Sequence, residues 1–210
     1  MRAWHSLFSR EDLFQHKERG SHDHSLFAGT VVQSLSTSRC LEMDLQQNLN
    51  AVNVKELTDY VADKKANPER CNVRRTLKAE WVGGTRARVY SDSGKEIFVG
   101  GEGDFGAMSI TLASLLACEL DVIATHATLR GIELEKLSVE GEGGFNQARY
   151  LGIASEPRPG YTQVSYTVRI KAKNATKAQL EDLVKLCETA SPVGDTLSRS
   201  VELKLNAIIE

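Results

Sequence analysis

The stretch Ser109–Arg130, SITLASLLACELDVIATHATLR, constrains this chain more than any other. Ser109 can cap it as a helix and Gly131 can end it. Its apolar residues fall on nearly every side of a helical wheel. A helix of that kind has to be covered by protein all round. One helix in a small domain achieves this only if a sheet or a partner chain wraps it.

The flanking segments carry the pattern of such a sheet. Asn53 followed by Glu56 predicts a capped helix with Val54, Leu57 and Val61 on one stripe, ending before Pro68. Val73, Leu77, Ala79 and Trp81 then alternate with Arg74, Thr76, Lys78 and Glu80, the pattern of a half-buried strand. Gly83–Gly84 makes a turn, Ala87 and Val89 continue as a second strand, and Ser91–Gly94 turns the chain into a third over Lys95–Val99. Beyond the central helix, Leu137 and Val139 mark a strand out to Gly141, and Gln163–Lys171 alternates over its whole length. Thr176 and Gln179 form a capping box for a helix with Leu180, Leu183, Val184 and Cys187 on its apolar face. Val201, Leu203, Leu205 and Ala207 predict a last strand. The order α-βββ-α-ββ-α-β, with mostly antiparallel strands, makes an α+β domain with its helices on one face of the sheet. Residues 1–50 lack any sustained period and form an N-terminal extension, so the domain runs over 51–210.

Composition narrows the function classes. The 210 residues suffice for one compact domain. A net charge of −2 excludes a strongly basic nucleic-acid footprint. No uncharged apolar run reaches the ~18 residues of a membrane span, and Glu11 and Asp12 interrupt the N-terminus before a signal core can form. Four cysteines, Cys40, Cys71, Cys118 and Cys187, show no zinc-type spacing and are too sparse for a disulfide scaffold. A reducing, cytoplasmic setting is expected.

Each candidate site has a bland reading beside the sharp one. Gly101–Gly106 spells GxGxxG, but a dinucleotide loop must open a helix inside a parallel βαβ unit, and the flanking strands here read as antiparallel. Glu102 and Asp104 would also repel a pyrophosphate. His16, His22, His24 and Asp23 lie in a segment that reads as a solvated loop, with no fourth firm ligand. Cys118 sits mid-helix beside Thr111, Ser114, Asp121 and Thr125, a small polar stripe that lines a cavity or lets another helix approach. The bland alternative is a small buried hydrophobe, and the same holds for Cys187. Cys40 and Cys71 carry no assignment.

Three motifs together resemble the OsmC/Ohr family of hydroperoxide-resistance and osmotically induced proteins. They are GGTRARV at 83–89, GDFGAMSITLASLLACELDVIATHATLRGIELEKLSVE at 103–140, and SPVGDTL at 191–197. The resemblance implies the OsmC-like α+β fold, with a mainly antiparallel sheet. It also implies an intertwined homodimer whose central helices pack together inside wrapped sheets. The implied activity is thiol-dependent reduction of organic hydroperoxides in oxidative stress defence, with an external thiol as reductant and no cofactor or metal. Neither nucleic acid nor membrane is an expected partner.

The implied roles transfer unevenly. Cys118 matches the reactive cysteine in the LLAC position. Ser191, before Pro192, stands where the resolving cysteine is expected, and Cys187 is one helical turn earlier as the alternative resolver. Thr85 holds the position of the arginine that activates the thiol, which leaves Arg86 and Arg88 as equal candidates. Ile110 replaces the glutamate that would orient it, and neither Glu102 nor Glu119 is an obvious substitute. The other expectation is therefore a non-catalytic protein of the same fold that binds a small apolar ligand at the dimer interface.

Overall fold

A computed structural model describes residues 48–209. The chain divides into two units after Ala66. In the first, β1 (Asn48–Leu49) pairs antiparallel with β2 (Val52–Asn53), and α1 follows over Val54–Ala66. The Asn53 side chain caps α1, accepting from the Glu56 backbone N–H at 3.0 Å and donating to the Glu56 carboxylate at 3.3 Å. Leu57, from the stripe read in the sequence, is buried, as is Val52.

The second unit opens with a 3-10 turn at Pro68–Cys71 and a meander of β3 (Lys78–Gly83), β4 (Arg86–Tyr90) and β5 (Glu96–Val99). Helix α2 (Ala107–Leu129) leads into β6 (Leu134–Phe145), which pairs antiparallel with β7 (Tyr161–Ala172) along nearly its full length. Helices α3 (Lys177–Ala190) and α4 (Pro192–Ser198) complete the unit. The strands form two separate sheets, β3-β4-β5 and β6-β7. Helices α2 and α3 pack on the second sheet and on each other. Their core is Ala127, Ile132 and Leu183, with Leu134, Ile170, Ala172, Leu180 and Leu186 packed against it.

Helix ends follow backbone chemistry. At the C-terminus of α2, the Ile132 N–H donates to Ala127 O at 2.9 Å and the Gly131 N–H to Thr128 O at 3.1 Å. This closure needs the left-handed conformation that Gly131 adopts, at φ 68°. Thr176 and Gln179 form the expected reciprocal box on α3. At the other end of α2 the cap is Gly106, without a side-chain bond, so the expected cap at Ser109 is displaced by three residues. Tyr161 Oη on β7 donates to Met108 O at 2.6 Å and ties down that turn.

Three expectations need correction. Strand β3 starts at Lys78, not Val73, because its partner β4 ends at Tyr90 opposite Lys78 and offers nothing further to pair with. Residues 201–207 form no strand, since none of the described strands pairs with them, and Leu203 and Leu205 are about nine-tenths exposed. The central helix is covered on one stripe within the chain rather than all round: Leu115, Glu119, Val122, Ile123, Ala127 and Thr128 are buried. By length and composition alone α2 is also long and apolar enough to cross a membrane. Its packing on β6, α3 and α4 makes it the core helix of the unit.

Candidate active site

The inward stripe of α2 repeats at positions i, i+4, i+7 and i+8 from Leu115, which places Glu119 among Leu115, Val122 and Ile123. Cys118 lies one residue off that stripe and is half-buried. Facing it is the break between α3 and α4. Ser191 ends α3 and caps α4, which Pro192 then starts with a fixed backbone angle.

Ser191 is almost wholly buried, and its Oγ serves two neighbours. It accepts the Gly194 N–H at 3.0 Å and donates its own hydrogen to Cys118 Sγ at 3.3 Å. A side chain at Gly194 would begin 3.0 Å from Ser191 Oγ and 3.5 Å from Glu119 Oε1, so glycine keeps both groups seated. The position that the resemblance counted as a lost cysteine is therefore in direct contact with the reactive one.

One turn back along α3, Cys187 is buried beside Leu183 on the apolar face read from the sequence. Burial first, then the adjoining Glu119 carboxylate and Cys118, together push its thiol up to about 12. Tyr166 on β7 is also raised, first by burial and then by the charges of Glu119, Cys187 and Glu188. Cys118, Glu119, Cys187 and Ser191 thus converge, with Tyr166 alongside. Glu119 is fully buried, and neither of its carboxylate oxygens makes a hydrogen bond. In the sequence Glu119 does not stand out as a site residue. Its signal was the helical spacing that puts a carboxylate in line with Leu115 and Ile123.

The arginines stand elsewhere in the chain. Arg86 Nε bonds Asp104 Oδ2 at 2.7 Å, and its guanidinium lies 4.2 Å from the Phe98 ring centre. The Arg86 hydrogen bond holds the Asp104 carboxyl below its usual range. Arg88 places Nε and Nη2 on the same Glu96 oxygen at 2.8 and 2.7 Å and stacks on Tyr90. Both sit on β4, in the other sheet, and neither is brought to Cys118 within one chain. Thr85 Oγ1 donates to Gly100 O at 2.8 Å, Ile110 occupies the first turn of α2, and Glu102 is exposed in the loop.

The remaining candidates separate as well. The Gly101–Gly106 loop joins β5, antiparallel to β4, to a helix whose next strand belongs to a different sheet, so it opens no parallel βαβ unit. Asp104 in that loop is already engaged by Arg86. The group of His16, His22, His24 and Asp23 lies outside the described residues, as does Cys40. Cys71 is exposed at the end of the 3-10 turn. Among the described residues, no group of three or more His, Cys, Asp or Glu is placed to hold a metal.

A family model described as OsmC-like protein matches residues 100–206, just over half of the chain. The chain belongs to the OsmC-like family. The fold agrees. A crystal structure of an OsmC-like protein from Mycoplasma pneumoniae is 17% identical, covers 60% of this chain and 89% of its own, and superposes with a TM-score of 0.50. An OsmC-like protein of unknown function from Vibrio cholerae is 13% identical over 60% of this chain and 94% of its own, with a TM-score of 0.50. An organic hydroperoxide resistance protein from Legionella pneumophila is 20% identical over 60% and 89%, at a TM-score of 0.43. No curated protein matches this OsmC-like chain significantly.

Proposed function

We propose that this OsmC-like chain is a thiol-dependent peroxidase that reduces organic hydroperoxides through Cys118, with a role in oxidative stress defence. The observation that carries the reading is the pairing of a half-buried cysteine with a buried hydroxyl aimed at its sulfur. A thiol attacks an O–O bond as its thiolate, and a hydroxyl hydrogen-bonded to the sulfur holds it in place for that attack. In the proposed step the Cys118 thiolate takes the terminal oxygen, the O–O bond breaks, and the alkoxide leaves as the alcohol after gaining a proton. Cys118 is left as a sulfenic acid. A second thiol then condenses with it, water departs, and an external thiol reduces the resulting disulfide.

The working form is a homodimer. This is supported by the apolar faces of α2 that its own chain leaves half covered, and by the exposed apolar segment from Val201 to Ile209. Sedimentation of the purified protein tests it, and a monomer at micromolar concentration argues against it. A cytoplasmic setting, in keeping with cysteines too sparse for a disulfide scaffold, is part of the proposal.

The test of activity is consumption of cumene hydroperoxide with dithiothreitol as the reductant. Wild-type protein should turn over, and Cys118→Ser should not. Full activity in Cys118→Ser would overturn the reading. The engagement of Arg86 by Asp104 and of Arg88 by Glu96 favours a second reading, a non-catalytic protein that holds a small apolar ligand at the dimer interface. That reading expects Cys118 to react with peroxide no faster than free cysteine does.

A further inference from the structure

A buried carboxylate without a partner is costly, because water no longer solvates it and nothing in the protein replaces the water. Glu119 is in that position. It is fully buried, and among the described residues its two oxygens are the buried side-chain oxygens that lack a hydrogen bond. Among the described residues no cation pairs with it. The titratable groups acting with it are Cys118 beside it on α2, Cys187 on α3 and Tyr166 on β7, and Glu188 acts in turn on Tyr166. None of these is basic.

Cys187 has the complementary problem. It is buried next to Glu119, with its thiol held far from ionisation at neutral pH. A thiol in that state attacks poorly unless its proton is removed as it reacts. Glu119, with no other partner among the described residues, offers the acceptor at the same place. We infer that Glu119 accepts the Cys187 proton when Cys187 closes a disulfide onto oxidised Cys118, an inference that rests on the peroxidase reading above.

The step balances without another reagent once the organic hydroperoxide has made the sulfenic acid. Glu119 takes the proton from Cys187. The freed sulfur pair forms the S–S bond to Cys118 Sγ as the Cys118 S–O bond breaks. The departing hydroxide takes the proton back from Glu119 and leaves as water. Cys187 is oxidised, the sulfenic sulfur is reduced to the disulfide level, and Glu119 ends as it began. Ser191 holds Cys118 Sγ by its hydrogen bond and, as a hydroxyl, leaves the resolving role to Cys187.

The test uses full-length wild type, Glu119→Gln, Cys187→Ala and the double variant, each given one equivalent of cumene hydroperoxide. Intact mass after dimedone quenching reads sulfenic acid against disulfide over time, between pH 6 and 9. Wild type should pass through the sulfenic acid to a Cys118–Cys187 disulfide. Glu119→Gln should form the sulfenic acid at the wild-type rate but close the disulfide about 100-fold more slowly, the usual size of a lost general base. Its closure should also speed up with pH more steeply than wild type, as solvent base takes over. In the Cys187→Ala background Glu119→Gln should change nothing. Its melting temperature should match or exceed wild type, since a buried carboxyl without a partner is replaced by a neutral amide of the same shape.

Closure at the wild-type rate in Glu119→Gln would overturn the inference. So would slow closure with an unchanged pH profile, which marks a merely structural residue. A wild-type sulfenic acid that never becomes the internal disulfide would overturn it and leave the peroxidase reading standing. No sulfenic acid in wild type at all would overturn that reading and this inference together.

Discussion

The two sheets of the second unit are built alike and treated differently. Both are antiparallel, and both alternate apolar and polar residues along their strands. On β6-β7 the alternation is used: α2 and α3 lie on it, and Ala127, Ile132 and Leu183 form a closed core. On β3-β4-β5 it is not. Trp81 is 76% exposed, Val82 and Ile97 are also exposed, and among the described residues of this unit none of α2, α3 and α4 packs broadly on the sheet. The reactive cluster belongs to the covered half, while the two candidate arginines belong to the uncovered one. Alternation predicts that a strand has an apolar face. It does not say which molecule covers it.

Variants can break or sharpen this contrast. The largest effect is expected at the cluster, where Cys118→Ser should abolish peroxide turnover measured by hydroperoxide consumption. Leu183→Ala should follow, costing about 2–5 kcal/mol of stability because a fully buried leucine leaves a cavity. Urea unfolding checks this. By the same measurement Trp81→Ala should cost about 0.5 kcal/mol or less in the isolated chain, as exposed positions do. If a second copy covers the β3-β4-β5 sheet, Trp81→Ala should instead weaken association in sedimentation.

Ser191→Ala should slow the reaction of Cys118 with peroxide about fivefold, the worth of a hydrogen bond of about 1 kcal/mol, and should destabilise α4 through its lost cap. Titration gives a further prediction. Cys187 keeps its proton in the folded protein up to about 12, against 9.0 in an ordinary setting. Between those pH values the unfolded chain can release a proton that the folded one retains, so stability should fall as pH rises from 9 towards 12. Cys187→Ala should flatten that limb in denaturation curves. The smallest effect belongs to Arg88→Gln. Its ion pair with Glu96 is exposed on both sides, and the melting temperature should hardly move.

Much of the covered half was legible in the sequence. The capping box at Thr176, the stop at Gly131 and the apolar face of α3 are local signals, and the chain realises them. Non-local requirements were not legible. Residues 201–207 alternate like a strand, yet a strand needs a neighbour, and none of the described strands supplies one. The length of β3 was set by where β4 ended rather than by the pattern from Val73. The cluster divided in the same way. Cys118 is legible from its motif, whereas Ser191 looks like a loss in the sequence because its pairing with Cys118 depends on how α4 meets α2. Glu119 is not legible, because one carboxylate on an apolar stripe looks like an exception until its burial is known.

The most direct measurement is peptide mapping after half an equivalent of cumene hydroperoxide in the presence of dimedone. The account predicts the sulfenic adduct on Cys118, with Cys40, Cys71 and Cys187 unlabelled. An adduct spread over the cysteines in proportion to their exposure, with exposed Cys71 ahead of Cys118, would contradict it.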